Sequence, residues 1–289
     1  MNKLVTINPE NNTFDAIMVD ITHRCNMECA NCYLPNRDIP DMDINNLFNF
    51  CKKLPNRTYI RLIGAEPTMR KDLFSIISTI KSLGHHVSLT TNGLKLGREE
   101  YVLKLKKAGL RLVLLSMNGA ADDNIYKQID CGKYATLKTR ALTNLVKHNF
   151  IVNTGTIIAR NINEKTIKEQ FELINSLKMK VKPVVRLRTI APLGRYLGDS
   201  FTYNFKEFVN VVCEQLNISK NYVFQKQTKA KNNGHGLIFH HKNCIIRLVD
   251  WNTDDDGVPD SNSEIRGRIT QDFKIAPFFN HVKEHEFGY

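Results

Sequence analysis

No run of eighteen apolar residues occurs anywhere in these 289 positions, and the opening MNKLVTINPENNTFD has no apolar stretch behind a basic start. A membrane-spanning helix needs about 20 apolar residues and an export signal an apolar core of about 7–15, so neither a membrane partner nor secretion is expected. Cysteine is scarce and odd in number, seven in all and unevenly spread, which is not the layout of a secreted disulfide framework. The cytoplasm is the expected compartment. Arginine-aromatic alternation of the kind that stacks bases is also missing, and there is a single tryptophan.

Charge of one sign is in excess: 41 basic against 29 acidic residues give a formal net charge of +12. The excess is diffuse, with Lys104, Lys106, Lys107, Lys165 and Lys168 on the polar faces of expected helices, so it reads as a solvated basic surface. Nucleic acid is not expected as a partner.

Apolar β-branched runs alternate with segments of helical period, the pattern of repeated βα units on a parallel sheet. Strands are expected at 16–21, 59–63, 87–91, 110–116, 150–158 and 184–190, and helices at 44–54, 71–83, 98–108, 134–148 and 164–177. Six units over the first 195 residues fall short of an eight-unit barrel, which takes about 250. The expected fold class is therefore α/β: a partial (β/α)6 TIM-like barrel over 1–195, with a small C-terminal extension over 196–289. That extension holds one amphipathic helix, a polar stretch, the strand-like CIIRLVDW and an acidic, turn-rich segment.

In parallel α/β folds chemistry gathers in the loops at the C-terminal ends of strands. HRCNMECANCYLP, residues 23–35, is such a loop and holds Cys25, Cys29 and Cys32. Three thiolates with His23 as a fourth ligand would close a tetrahedral zinc site. Three thiolates alone would instead leave one iron of a 4Fe-4S cluster without a protein ligand, open to an external one. The spacing allows both.

C-x-x-x-C-x-x-C followed by Tyr33 resembles the motif of the radical S-adenosylmethionine (radical SAM) superfamily. Further segments agree in order along the chain: GAEP at Gly64, Ala65, Glu66 and Pro67; TTNG ending at Gly93; LSMNG with Ser116 and Asn118; ARN at 159–161; and APLGR at 191–195. The resemblance covers residues 15–195, with Ala65 in place of the family's second glycine. It implies a 4Fe-4S cluster on the three cysteines and S-adenosylmethionine (SAM) on the open iron. One-electron cleavage of SAM then gives a 5'-deoxyadenosyl radical that takes a hydrogen atom from substrate. It also implies that Glu66 receives the SAM ammonium, that Thr91 and Ser116 contact its methionine or ribose part, that Arg188 or Arg195 meets its carboxylate, and that flavodoxin or ferredoxin donates the electron.

The other cysteines are too few for an auxiliary cluster. Cys51 and Cys213 lie on apolar helix faces and are expected in the core. Cys244 and Cys131 remain as candidates to return a hydrogen atom to a substrate radical, which makes the layout resemble single-cluster radical SAM epimerases such as those acting on aminoglycosides. Asp250, Asp254, Asp255 and Asp256 would then bind an amine-rich small molecule. The same stretch weakly mimics a calcium loop, although Ser263 stands where the last ligand belongs. The expected activity is epimerisation of a small polar, amine-rich molecule. Modification of a ribosomally made peptide and a zinc-stabilised non-catalytic binding module are the alternatives.

Overall fold

The computed structural model describes residues 6–226, 236–250 and 266–277. Its frame is one ten-stranded sheet. The six expected barrel strands form as β1 (Ala16–Asp20), β2 (Tyr59–Ile63), β3 (His86–Thr91), β4 (Leu112–Ser116), β5 (Ile151–Ile157) and β6 (Val184–Arg188). They run parallel and pair in chain order. Helices α1 (Ile44–Lys53), α2 (Leu73–Ser82), α3 (Glu99–Lys107), α4 (Asp123–Ile129), α5 (Ala135–Lys147) and α6 (Thr166–Ser176) fill the crossovers.

Local chemistry sets these boundaries. The Asp43 carboxylate accepts the Asn46 amide at 2.8 Å, capping α1 ahead of the buried stripe Leu47, Phe50 and Cys51. Cys51 is fully buried, and so is the core face of α7 (Phe205–Leu216), which holds Phe208, Val212 and Cys213 behind an Asn204–Glu207 capping box.

The C-terminal extension builds onto both edges of the barrel sheet. α7 is followed by α8 (Lys220–Gln225) and the hairpin β7 (Gly236–His241) and β8 (Cys244–Val249), and β8 pairs in parallel with β6. β9 (Arg266–Ile269) crosses to the opposite edge and pairs in parallel with β1, and β10 (Ile275–Pro277) closes that edge antiparallel. Eight described strands thus run parallel, the six expected for the barrel together with β8, which is the strand-like CIIRLV, and β9; the outermost strands β10 and β7 do not pair with each other. The barrel is therefore open. The β9 edge is fastened by a buried ion pair, Arg268 Nε to Asp20 Oδ2 at 2.5 Å, both side chains being almost fully covered. No helix among the described residues is long and apolar enough to cross a membrane. The calcium-like stretch from Asn252 and the carboxylates of Asp254, Asp255 and Asp256 lie outside the described residues.

Candidate active site

A cavity sits at the C-terminal ends of the barrel strands. Cys25, Cys29 and Cys32 of the loop after β1 line it, together with Tyr33, Gly64 and Ala65 beyond β2, Thr91 and Asn92 at the end of β3, and Ser116 at the end of β4. The cysteine loop is fixed from two sides. Ala65 donates its amide to the Thr22 carbonyl at 2.9 Å, and Glu66 donates to the Arg24 carbonyl at 3.0 Å. Gly64 has φ +135°, and a Cβ there would collide with the Thr22 carbonyl, so only glycine lets β2 approach so closely. On the far side Cys32 and Arg195 form a β-bridge through two backbone bonds of 3.1 and 2.8 Å. A Cβ on Gly194, at φ +60°, would strike the Cys32 carbonyl.

The three thiols are free and suit iron-sulfur ligation. Burial above all pushes the Cys25 and Cys29 thiols up, with Glu66 and then Cys32 adding to this at Cys25, and Asp130 and then the two other sulfurs adding to it at Cys29. Donors point at two of the sulfurs: the Met27 amide reaches Cys25 Sγ at 3.4 Å and Asn92 Nδ2 reaches it at 3.9 Å, while Arg37 Nη2 reaches Cys32 Sγ at 3.6 Å. Hydrogen bonds of this kind stabilise a ligating thiolate and tune a cluster's potential. No group of three His, Cys, Asp or Glu side chains among the described residues converges as a single ion would require. His23 is fully buried, stays off the cavity lining and bonds with the Asn36 backbone, so it is not the fourth ligand that adjacency in sequence suggests.

Cys131, by contrast, is exposed and absent from the lining. In protein with a reconstituted cluster, iodoacetamide is expected to alkylate Cys131 while Cys25, Cys29 and Cys32 stay protected. Removing the cluster should release those three, and peptide mass spectrometry reads the difference. Equal labelling of all four with and without iron would contradict the assignment.

Glu66 is fully buried and does not line the cavity. Its Oε1 accepts the Thr68 amide at 3.0 Å and the hydroxyls of Thr68 and Thr91 at 2.6 and 2.7 Å, and its Oε2 accepts the Asn92 amide at 2.7 Å. Four donors from two loops thus hold one carboxylate, which makes Glu66 a tie between the ends of β2 and β3. The Thr91 hydroxyl, donated to Glu66, also accepts the Gly93 amide at 3.0 Å. Asn92 extends the tie, donating to Asn26 Oδ1 at 2.8 Å and so fastening the cysteine loop to β3. In sequence, Asn92 shows only as half of a turn pair.

Tyr33 forms part of the wall, with its hydroxyl committed to Asp20 Oδ1 at 3.2 Å. Arg195 faces Glu28 at 2.6 Å and does not line the cavity, whereas Arg188 does. A lysine also sits in the wall: Lys138 of α5 is fully buried, 3.2 Å from Asp130 Oδ2, and donates to the Ser116 carbonyl at 3.0 Å. Its signal in the sequence is a charge inside the apolar stripe of Ala135, Ala141, Leu142 and Leu145.

Cys244 is the clearest misplacement. It is the first residue of β8, buried in the hydrophobic core and off the cavity lining. Because β8 runs parallel to β6, its first residue lies at the end opposite the site, and the five residues from there to Val249 span about 16 Å. Asp250, at the correct end, is buried and accepts the Thr189 hydroxyl at 3.1 Å.

The radical SAM superfamily model matches residues 19–174. Among curated proteins, the 7,8-dihydro-6-hydroxymethylpterin dimethyltransferase of Methanocaldococcus jannaschii is 30% identical over 159 residues, 52% of this chain and 31% of that protein. A probable GTP 3',8-cyclase of Methanococcus aeolicus is 31% identical over 163 residues, 51% of this chain and 53% of that protein. The chain thus spans about half or less of these relatives' lengths. Of solved structures, Streptococcus suis SuiB bound to S-adenosylmethionine superposes with a TM-score of 0.64 at 12% identity, covering 91% of this chain and 60% of that one. The enzyme anSMEcpe, with bound AdoMet and a peptide, gives 0.55 at 18% identity over 73% of this chain and 60% of that one. With more than half its length matched, this chain belongs to the radical SAM superfamily, whose cofactors are a 4Fe-4S cluster and S-adenosylmethionine.

Proposed function

We propose that the chain abstracts a hydrogen atom from a small polar molecule seated in the barrel cavity, with Cys25, Cys29 and Cys32 as the cluster ligands. The observation that carries this reading is that one cavity is walled both by the three thiols and by the strand ends Gly64, Ala65, Thr91 and Ser116. When bound to Cys25, Cys29 and Cys32, the cluster would supply the one-electron reduction of SAM that hydrogen-atom abstraction requires.

The chain's own residues position and enclose. Glu66 holds the loops after β2 and β3 in fixed relation, Asn92 and the Cys32–Arg195 bridge immobilise the cysteine loop, and Tyr33, bonded to Asp20, forms part of the cavity wall. Preorganisation of this kind lets a reactive radical meet one C–H bond and excludes solvent. An external electron donor remains a requirement of the reading.

The pterin and GTP in the names of the curated relatives support a small molecule as substrate. Likeness to SuiB and anSMEcpe is one of fold alone, and a peptide substrate has no separate support. Epimerisation loses its footing, because Cys244 is at the far end of the sheet and the relatives are named for methyl transfer and cyclisation.

Anaerobic protein with a reconstituted cluster is expected to hold iron and sulfide near four per chain, to change its reduced-cluster electron paramagnetic resonance (EPR) signal on adding SAM, and to form 5'-deoxyadenosine with dithionite. One zinc per chain without iron, or a signal indifferent to SAM, would overturn the reading.

A further inference from the structure

The wall of the cavity below the strand ends is dense in arginine. Strand alternation turns Arg61 of β2, Arg186 and Arg188 of β6 and Arg266 of β9 onto that wall. Register places Arg247 of β8 directly beside Arg186, and Arg61 beside Met18 and Ser88. Among the described residues the opposing charge is slight: Asp130, the one carboxylate among them on the lining, is engaged by Lys138, and Asp20 by Arg268.

Among the described residues no carboxylate pairs with Arg61, Arg186 or Arg266. Arg186 is 6% exposed and its Nε and Nη2 have no acceptor, while Arg61 Nε has only the Ser88 hydroxyl at 3.4 Å. Burial, and then repulsion among the cluster's own members, brings Arg61 down to about 10 and drives Arg186 and Arg266 down further. Arg186 feels Arg266, Arg247, Arg188 and Arg61 together, so the guanidiniums act as one cluster.

Taking one ion out of water costs several kcal/mol, and like charges side by side add to that. A core of this sort is poor for stability and well suited to an anion. A single carboxylate offers one charge and two oxygens, too little for three guanidiniums on three strands that no described carboxylate pairs. A phosphate chain offers several charges and many oxygens, and the planar fork of arginine matches them two at a time.

We propose that Arg61, Arg186 and Arg266 form the seat of a phosphate chain carried by the substrate, with Arg188 and Arg247 completing its field. This deepens the reading above and rests on it. Arg61 and Arg186 lie on the wall one inward step, about 7 Å, below Ile63 and Arg188. The substrate therefore enters with its charged end deep and presents its uncharged part to the rim, where the thiols are. The amine-rich substrate expected from the acidic segment is the wrong polarity for this lumen.

The test is isothermal titration of inorganic tripolyphosphate into anaerobic, cluster-loaded protein. One equivalent should bind, more weakly as salt rises. Arg186→Met and Arg266→Met should each weaken it about tenfold or more, the loss of one charge-assisted contact, with the exposed Arg111→Met as an unaffected control. Without the ligand, the two lumen variants should melt no lower than the parent, since they relieve buried repulsion, whereas arginines kept for structure would melt lower on removal. No binding by the parent, equal binding by all variants, or lower melting of both lumen variants would overturn the proposal. The SAM-dependent change in the cluster signal is recorded on the same samples. If that change is lost while tripolyphosphate binds, the radical reading fails and the anion seat stands.

Discussion

Cys29→Ala is expected to reduce bound iron to background and to lower SAM cleavage more than about a thousandfold, because no side chain of the protein can replace the electron the cluster supplies. Cys29 has the strongest reason to be a ligand rather than a packed thiol. Burial, then Asp130 and the two neighbouring sulfurs, push it up, yet it lines a cavity instead of the core. Cys131→Ala separates loss of a ligand from loss of any thiol, since Cys131 is exposed and should leave iron content unchanged. Iron by plasma mass spectrometry and 5'-deoxyadenosine by chromatography give the two readings. A Cys29→Ala protein that kept its full iron would remove the loop from the site.

Glu66→Ala should lower unfolding free energy by about 3 kcal/mol or more, a large share of the about 5–15 kcal/mol that a domain commands. Four donors lose their acceptor at once, among them the amides of Thr68 and Asn92, and the burial of Glu66 leaves no water to replace it. Glu66→Gln is more informative. It keeps an acceptor for the Thr68 and Thr91 donors and sets an NH2 group against the Asn92 amide, so a smaller stability loss should accompany weaker SAM binding. Were the carboxylate also a direct contact for the SAM ammonium, Glu66→Gln would weaken SAM by more than the fall in the denaturation midpoint accounts for. Urea titration and SAM titration on the same protein decide between the two.

Glu66 also shows how far the sequence could be read. GAEP marks the segment after β2 whose Gly64 and Ala65 line the cavity, but the partners of Glu66 at Thr91 and Asn92 come from another strand end, and a motif does not contain them. Similarly, His23 is two residues from Cys25 in the chain, yet it is buried and off the cavity lining. The six barrel strands and the core positions of Cys51 and Cys213 were legible because period and apolarity are local properties. β9 was not legible. It is four residues long, its sequence RGRI looks like surface, and only its pairing with β1 makes it a strand.

The arginines have the same explanation. VVRLR, YIRLI and CIIRLV alternate as strands with one polar face, and alternation cannot say whether that face meets water or a lumen. The diffuse positive charge of the whole chain thus concealed a concentrated one.

The clasp between Asp20 and Arg268 joins residues 248 positions apart, so the first strand emerges from the ribosome long before its outer neighbour exists. At about 5–20 residues per second, that margin of the nascent sheet stays bare for roughly 12–50 s. Throughout the wait Asp20 is an uncompensated charge on the inward side of a bare margin, a feature that discourages stray strands from docking there. Arrival of the late arginine converts the guard into a latch.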